Sequence, residues 1–95
     1  PAYVFLLIET LAAAGVKAGL PEEFAMKLAR ATVSGSGELA RRSSEPAAQL
    51  RINVTSPGGT TAEALKVLMD PETGIQPIFD KAIAAATARS KELAG

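Results

Sequence analysis

Residues Val54 to Leu65 read VTSPGGTTAEAL and interrupt a chain whose apolar residues otherwise recur at three- and four-residue spacing. That spacing is helical, and no run alternates convincingly with a period of two, so an all-α fold without a sheet is expected. The interruption is costly if it only turns a corner. Two adjacent glycines give up much backbone entropy, while one Gly or Asn normally suffices between helices. The loop is therefore where function is sought first.

Local chemistry sets the expected helix boundaries. The first helix should run from about Ala2 to Ala18, apolar nearly all round through Leu11, the pattern of a helix covered on several sides. Gly15 weakens its last turns, and Gly19 is the expected C′ stop. Pro21 is expected at the first position of a second helix that reaches Ser43, with Glu22 and Glu23 at its positive end. Its buried face should hold Phe24, Leu28, Ala31, Thr32, Gly35 and Leu39. A short third helix is expected from Glu45 to Val54, with Leu50 and Val54 on one side. Thr60-Thr61-Ala62-Glu63 matches a capping box, which makes Thr60 the expected N-cap of a helix to about Met69. That helix should bury Ala64, Leu65 and Leu68. Asp70 to Gly74 reads as a polar turn. The last helix is expected from about Ile75 to Ala94, with a stripe of Ile75, Ile78, Phe79, Ala82, Ile83, Ala86 and Leu93.

Ninety-five residues make one domain with one core, near the size where a monomer is only marginally stable. The apolar share is 47% but the aromatic share only 4%, so much of the apolar content is alanine. Such helices pack closely yet bury modest area, which favours an oligomer or a piece of something larger. Ten acids balance ten bases, leaving no electrostatic case for nucleic acid. Arg41-Arg42, the one basic doublet, reads as a solvated helix end. The chain has no cysteine and no histidine, which removes disulfides, thiolate chemistry, histidine bases and the usual zinc sites. A reducing cytoplasmic setting fits. The apolar run Tyr3 to Ile8 stops at Glu9, far short of a membrane span, and it lacks the flanks of a signal peptide.

Two motifs carry less than they first suggest. Gly35 to Ala40, GSGELA, formally matches the dinucleotide fingerprint G-x-G-x-x-A. That fingerprint needs a preceding strand and a following acid. Here the glycines lie inside a helical pattern, so close helix packing is the better reading and no cofactor is expected to bind this chain. The carboxylates sit where helix starts or exposed faces want them, and Asp70-Pro71-Glu72 lacks the ligand spacing of a calcium loop.

The glycine loop is different. It lacks the Gly-Lys-Ser/Thr of a P-loop, yet it leads two glycines into a helix N-terminus, where free N–H groups and the macrodipole favour an anion. Hydroxyls at Ser56, Thr60 and Thr61 add donors, and a carboxylate would fit. Equally, Thr60 could only cap its helix and the glycines only turn. The residues alone leave both readings open.

The segment LRINVTSPGGTTAEALKVL resembles the signature near the C-terminus of pyrroline-5-carboxylate reductases. The opening PAYVFLLIETLAAAGVKAGLP resembles the same family's helix after its dinucleotide-binding domain. The likeness runs on through KLARATVSGSGELARRS and, more loosely, to AAATARSKEL. One departure is that the family often has Pro nearer the Leu-Arg pair than Pro46 lies from Leu50-Arg51. The resemblance implies a helical dimerisation domain of about five helices, like the C-terminal domain of 6-phosphogluconate dehydrogenase and interlocked with a second copy. It implies a parent enzyme that reduces 1-pyrroline-5-carboxylate to L-proline with NADPH or NADH held by a separate Rossmann domain. It implies that Ser56, Gly58, Gly59, Thr60 and Thr61 bind the substrate, with backbone N–H groups on its carboxylate. Thr61 would act as the catalytic residue by placing its hydroxyl near the ring nitrogen. A stand-alone helical module without an enzymatic parent is the alternative, but it gives no reason for the glycines and hydroxyls at one helix entry.

Overall fold

A computed structural model describes residues 1–95 as five helices with no strand. In chain order these are α1 (Ala2–Lys17), α2 (Glu22–Arg42), α3 (Ala47–Asn53), α4 (Thr60–Leu68) and α5 (Ile75–Ala94). The all-α expectation and the helix count hold. The chain divides into two compact units, Pro1–Leu50 and Arg51–Gly95.

In the first unit α1 and α2 form a hairpin, and they are the only helices that pack along one another extensively. Its turn is a Schellman motif. The Leu20 N–H donates to the Gly15 carbonyl and the Gly19 N–H to the Val16 carbonyl, both at 3.0 Å. Gly19 has φ of +109°, the left-handed stop its position suggested. Pro21 is the N-cap of α2 rather than its first residue. Its ψ of 144° is still extended, and its carbonyl accepts the first helical bond from the Ala25 N–H at 2.9 Å. Gly15 does more than weaken a turn: a Cβ there would meet the Ala25 Cβ at 3.3 Å, so its bareness lets α2 approach.

The core differs from the one expected. Only Ala12, Ala25 and Ala29 form buried apolar contacts. On the face of α2 expected to be buried, Phe24, Leu28 and Leu39 are 50%, 42% and 52% exposed, and Ala31, Thr32 and Gly35 are exposed as well. The helical period is real, but α1 covers the neighbouring Ala25–Ala29 stripe, where small side chains allow close contact. The chain exposes 7775 Å², against about 5,200 Å² for a folded monomer of this size.

The second unit has less internal cover still. The stripe of α5 is present but open, from Ile75, Ile78, Phe79 and Ile83 to Leu93. On α4, Leu65 is half-buried while Ala64 and Leu68 are exposed. The third helix is shorter than expected at both ends, because Pro46 supplies its first acceptor carbonyl and Val54 is already in the loop, 67% exposed. The polar turn between α4 and α5 is held by its own hydrogen bonds. Asp70 Oδ1 accepts the N–H groups of Glu72 and Thr73, both at 2.9 Å, and the Asp70 carbonyl accepts that of Gly74 at 2.9 Å. Gly74, the N-cap of α5, is the one buried residue of this unit. A Cβ on it would run into the Leu68 carbonyl oxygen and lie 2.6 Å from that of Asp70.

Candidate functional site

The loop from Val54 to Thr61 leaves α3 through Thr55, whose hydroxyl donates to the Arg51 carbonyl at 2.6 Å. Ser56-Pro57-Gly58-Gly59 then forms a type II β-turn. The Gly59 N–H donates to the Ser56 carbonyl at 3.0 Å, Pro57 occupies the position that favours proline, and Gly58 has φ of +72°. The two glycines have separate reasons. Gly58 supplies a left-handed backbone that other residues adopt only with strain. Gly59 has an extended backbone, but a Cβ on it would lie 3.2 Å from the Ser56 oxygen and 3.3 Å from the Ser56 Cβ.

This turn fixes the start of α4 one residue earlier than the capping-box reading. Gly59 is the N-cap, and Thr60 is the first helical residue. The reason is in the turn: Gly59 presents its carbonyl to the Glu63 N–H at 3.3 Å, which is the N-cap's task. The other half of the box is diverted too, since Glu63 Oε1 accepts from Lys66 Nζ at 2.8 Å.

The donor set is accordingly shifted. The Gly59 N–H, expected to hold a carboxylate, is engaged in the turn. The N–H groups of Thr60, Thr61 and Ala62 are the first-turn donors with no helical acceptor. Ala62 was not singled out from the sequence, because a main-chain donor has no side-chain signature. Its role follows once the helix start is known. Around these donors stand the hydroxyls of Ser56, Thr60 and Thr61, all on exposed residues, with Gly59 and Ala62 half-buried between them. The positive end of the α4 dipole points the same way.

No residue from Ser56 to Ala62 titrates near neutrality. The arrangement can bind and orient an anion, and it offers no acid or base of its own. The pKa shifts in the chain lie elsewhere. The N–H groups of Thr73 and Glu72 hold the Asp70 carboxyl below its ordinary value. Arg41, then Arg42, does the same for Glu38, and Glu38 in turn raises Arg41. The Gly35-Ser36-Gly37 match to a nucleotide loop falls inside α2. Its main-chain donors there serve the helix, so these residues do not fit a dinucleotide phosphate. A Cβ on either glycine would meet nothing within 4 Å, so the close packing expected there is not made within this chain. No cluster of three or more acids, cysteines or histidines could hold a metal ion. No helix is long and apolar enough to cross a membrane.

Against known proteins, the family model described as pyrroline-5-carboxylate reductase dimerisation matches residues 1–93. The chain belongs to that family. It is 48% identical over 93 residues to a pyrroline-5-carboxylate reductase of Synechocystis, covering 98% of this chain and 34% of the relative. A Mycobacterium leprae relative of the same name is 43% identical, with 98% and 37% covered. Among solved structures, the Plasmodium falciparum reductase with NADP bound superposes with a TM-score of 0.90 at 40% identity, over 100% of this chain and 36% of that one. The Coxiella burnetii enzyme gives 0.90 at 44% identity, over 98% and 34%. The chain thus spans about a third of the length of the relatives it matches. The family's description as a dimerisation domain is consistent with self-association.

Proposed function

We propose that residues 1–95 act as a single dimerisation and substrate-binding domain in an enzyme that reduces 1-pyrroline-5-carboxylate to L-proline. The observation that carries this is the row of open N–H donors at Thr60, Thr61 and Ala62 behind a rigid type II turn, in a family named for that reductase. Three main-chain donors and a helix dipole suit the substrate carboxylate. Ser56, Gly58 and Gly59 shape the entry, and the Thr61 hydroxyl lies next to the donors, where it can orient the ring nitrogen. A protonated imine is already electrophilic, so a site without acid or base suffices on this side of the reaction. NADPH or NADH, held by a Rossmann domain outside residues 1–95, supplies the hydride.

Homodimerisation completes the reading. Surface exposed beyond the monomer expectation amounts to about 2,600 Å² per chain, or about 5,200 Å² for a pair, the scale of large obligate interfaces. The setting is cytoplasmic, with neither membrane nor nucleic acid as partner. The test is Thr61→Ala in the full-length protein. Loss of kcat/KM for the imino acid by about tenfold is expected, with NADPH binding kept. A variant that only melts earlier, with unchanged kinetics, would reduce Thr61 to a structural residue.

A further inference from the structure

We infer that Thr55 is a positioning residue that sets where the open donors of α4 point, an inference that rests on the loop being the carboxylate site. Thr55 is the hinge between α3 and the loop, and both of its donors are used. Its N–H goes to the Ile52 carbonyl at 3.0 Å and its hydroxyl to the Arg51 carbonyl at 2.6 Å. It is half-buried between exposed Val54 and exposed Ser56. It also lines a hollow on the flank of α4 with Ala62, Leu65 and Met69. All of these residues lie in one unit, so Thr55 holds the loop to the end of α3 while facing the same hollow as the flank of the helix that carries the site.

The link from Thr55 to the donors has little slack. One residue on, the Ser56 carbonyl closes the turn on Gly59, and the Ser56 Cβ sits 3.3 Å from where a Gly59 Cβ would stand. Pro57 fixes one dihedral of the turn, and Gly58 holds a left-handed backbone. A rotation at Thr55 therefore passes through the turn to Thr60 rather than being absorbed within it. The other three hydroxyls of the loop are on exposed residues and cap neither helix. Thr55 alone anchors.

The experiment compares Thr55→Val, which keeps the volume and removes the hydroxyl, with Thr55→Ser, which keeps the hydroxyl, in the full-length protein. Thr55→Val is expected to raise the KM for the imino acid about fivefold, with kcat and the NADPH KM nearly unchanged. Thr55→Ser is expected to restore the wild-type KM. An unchanged KM in Thr55→Val, or equal impairment in Thr55→Ser, overturns the inference. If Thr55→Val does not fold, Thr55→Ser decides alone: a raised KM there counts against it. If the wild-type protein does not reduce the imino acid, the proposed function fails separately. Amide exchange at Gly59 and Glu63 then reads the positioning directly. Exchange faster in Thr55→Val and normal in Thr55→Ser supports it, while unchanged exchange in Thr55→Val refutes it.

Discussion

The hairpin of α1 and α2 and the segment from Arg51 to Gly95 hold their shapes by different means. The hairpin brings two long helices together over Ala12, Ala25 and Ala29, a contact built from side chains and a bare Gly15. The second segment buries no large side chain. Its order comes from hydrogen bonds made by main-chain N–H groups in two tight turns, to the Ser56 carbonyl at Ser56–Gly59 and to the Asp70 carbonyl and carboxylate at Asp70–Gly74. The lesson is about where each can tolerate change. A side-chain contact can repack, whereas a turn closed on its own backbone cannot.

Gly74→Ala breaks that comparison most sharply. Its Cβ would meet main-chain atoms of Leu68 and Asp70, which have no rotamer to yield. A loss of about 3 kcal/mol in folding stability is expected, at the upper end of overpacking effects. In the hairpin, Gly15→Ala meets only Ala25 and the flexible end of Leu20 at 3.3 Å. The crowding there is offset by a helix-propensity gain of up to about 1 kcal/mol, so a near-neutral result is expected. Thermal melts of both variants at one protein concentration check the pair. Equal destabilisation would remove the distinction.

Next in size is the cover that the second segment lacks. Ile83 is 48% exposed on the open stripe of α5. Ile83→Asp is expected to weaken self-association by about 2 kcal/mol per chain, the scale of one buried aliphatic side chain. Light scattering over a dilution series would show dissociation at higher concentration than in the wild type. An unchanged dilution profile would mean that this face of α5 stays in solvent. Smaller again is Gly58→Ala, which puts a Cβ on a residue with φ of +72° where nothing else crowds it. Strain of about 1–2 kcal/mol is expected, read by chemical denaturation.

Helix positions were legible from the sequence because caps and stops are local. Gly19 announced its turn, and Ile75 and Ala94 bounded α5 as expected. Thr60 and Pro21 were each one place off, since a helix start depends on which carbonyl accepts first, and a turn upstream decides that. The apolar faces were also legible, but not what covers them. Phe24, Leu28 and Ile78 have the right period for a core and remain open within this chain, because periodicity names a face and is silent about its partner. Of the site, Ser56 to Thr61 stood out by composition. Ala62 did not, because its N–H is a main-chain donor whose freedom depends on where α4 starts, and that is decided by the turn upstream.

The smallest expected effect sharpens the comparison through acid. Each region has one carboxyl held below its ordinary value, Glu38 by the guanidinium of Arg41 with help from Arg42, and Asp70 by the N–H groups of Thr73 and Glu72. A depressed folded pKa means stability that is present above the unfolded value and lost as pH falls through the folded one. The window therefore opens near the ordinary values, 4.5 for Glu38 and 3.8 for Asp70, and extends below them. Glu38 is exposed and Asp70 only half-buried, so the loss is gradual. Salt separates them. At 1 M the Debye length is about 3 Å, which screens the exposed Glu38 pairs but leaves short hydrogen bonds inside a turn largely intact. Melting temperature against pH should therefore keep an acid slope in high salt for the wild type. Asp70→Asn, which retains an acceptor oxygen, should flatten that slope, and Glu38→Gln should flatten only the part seen at low salt. If high salt abolishes the whole slope, the Asp70 turn behaves as a surface charge pair rather than as main-chain structure.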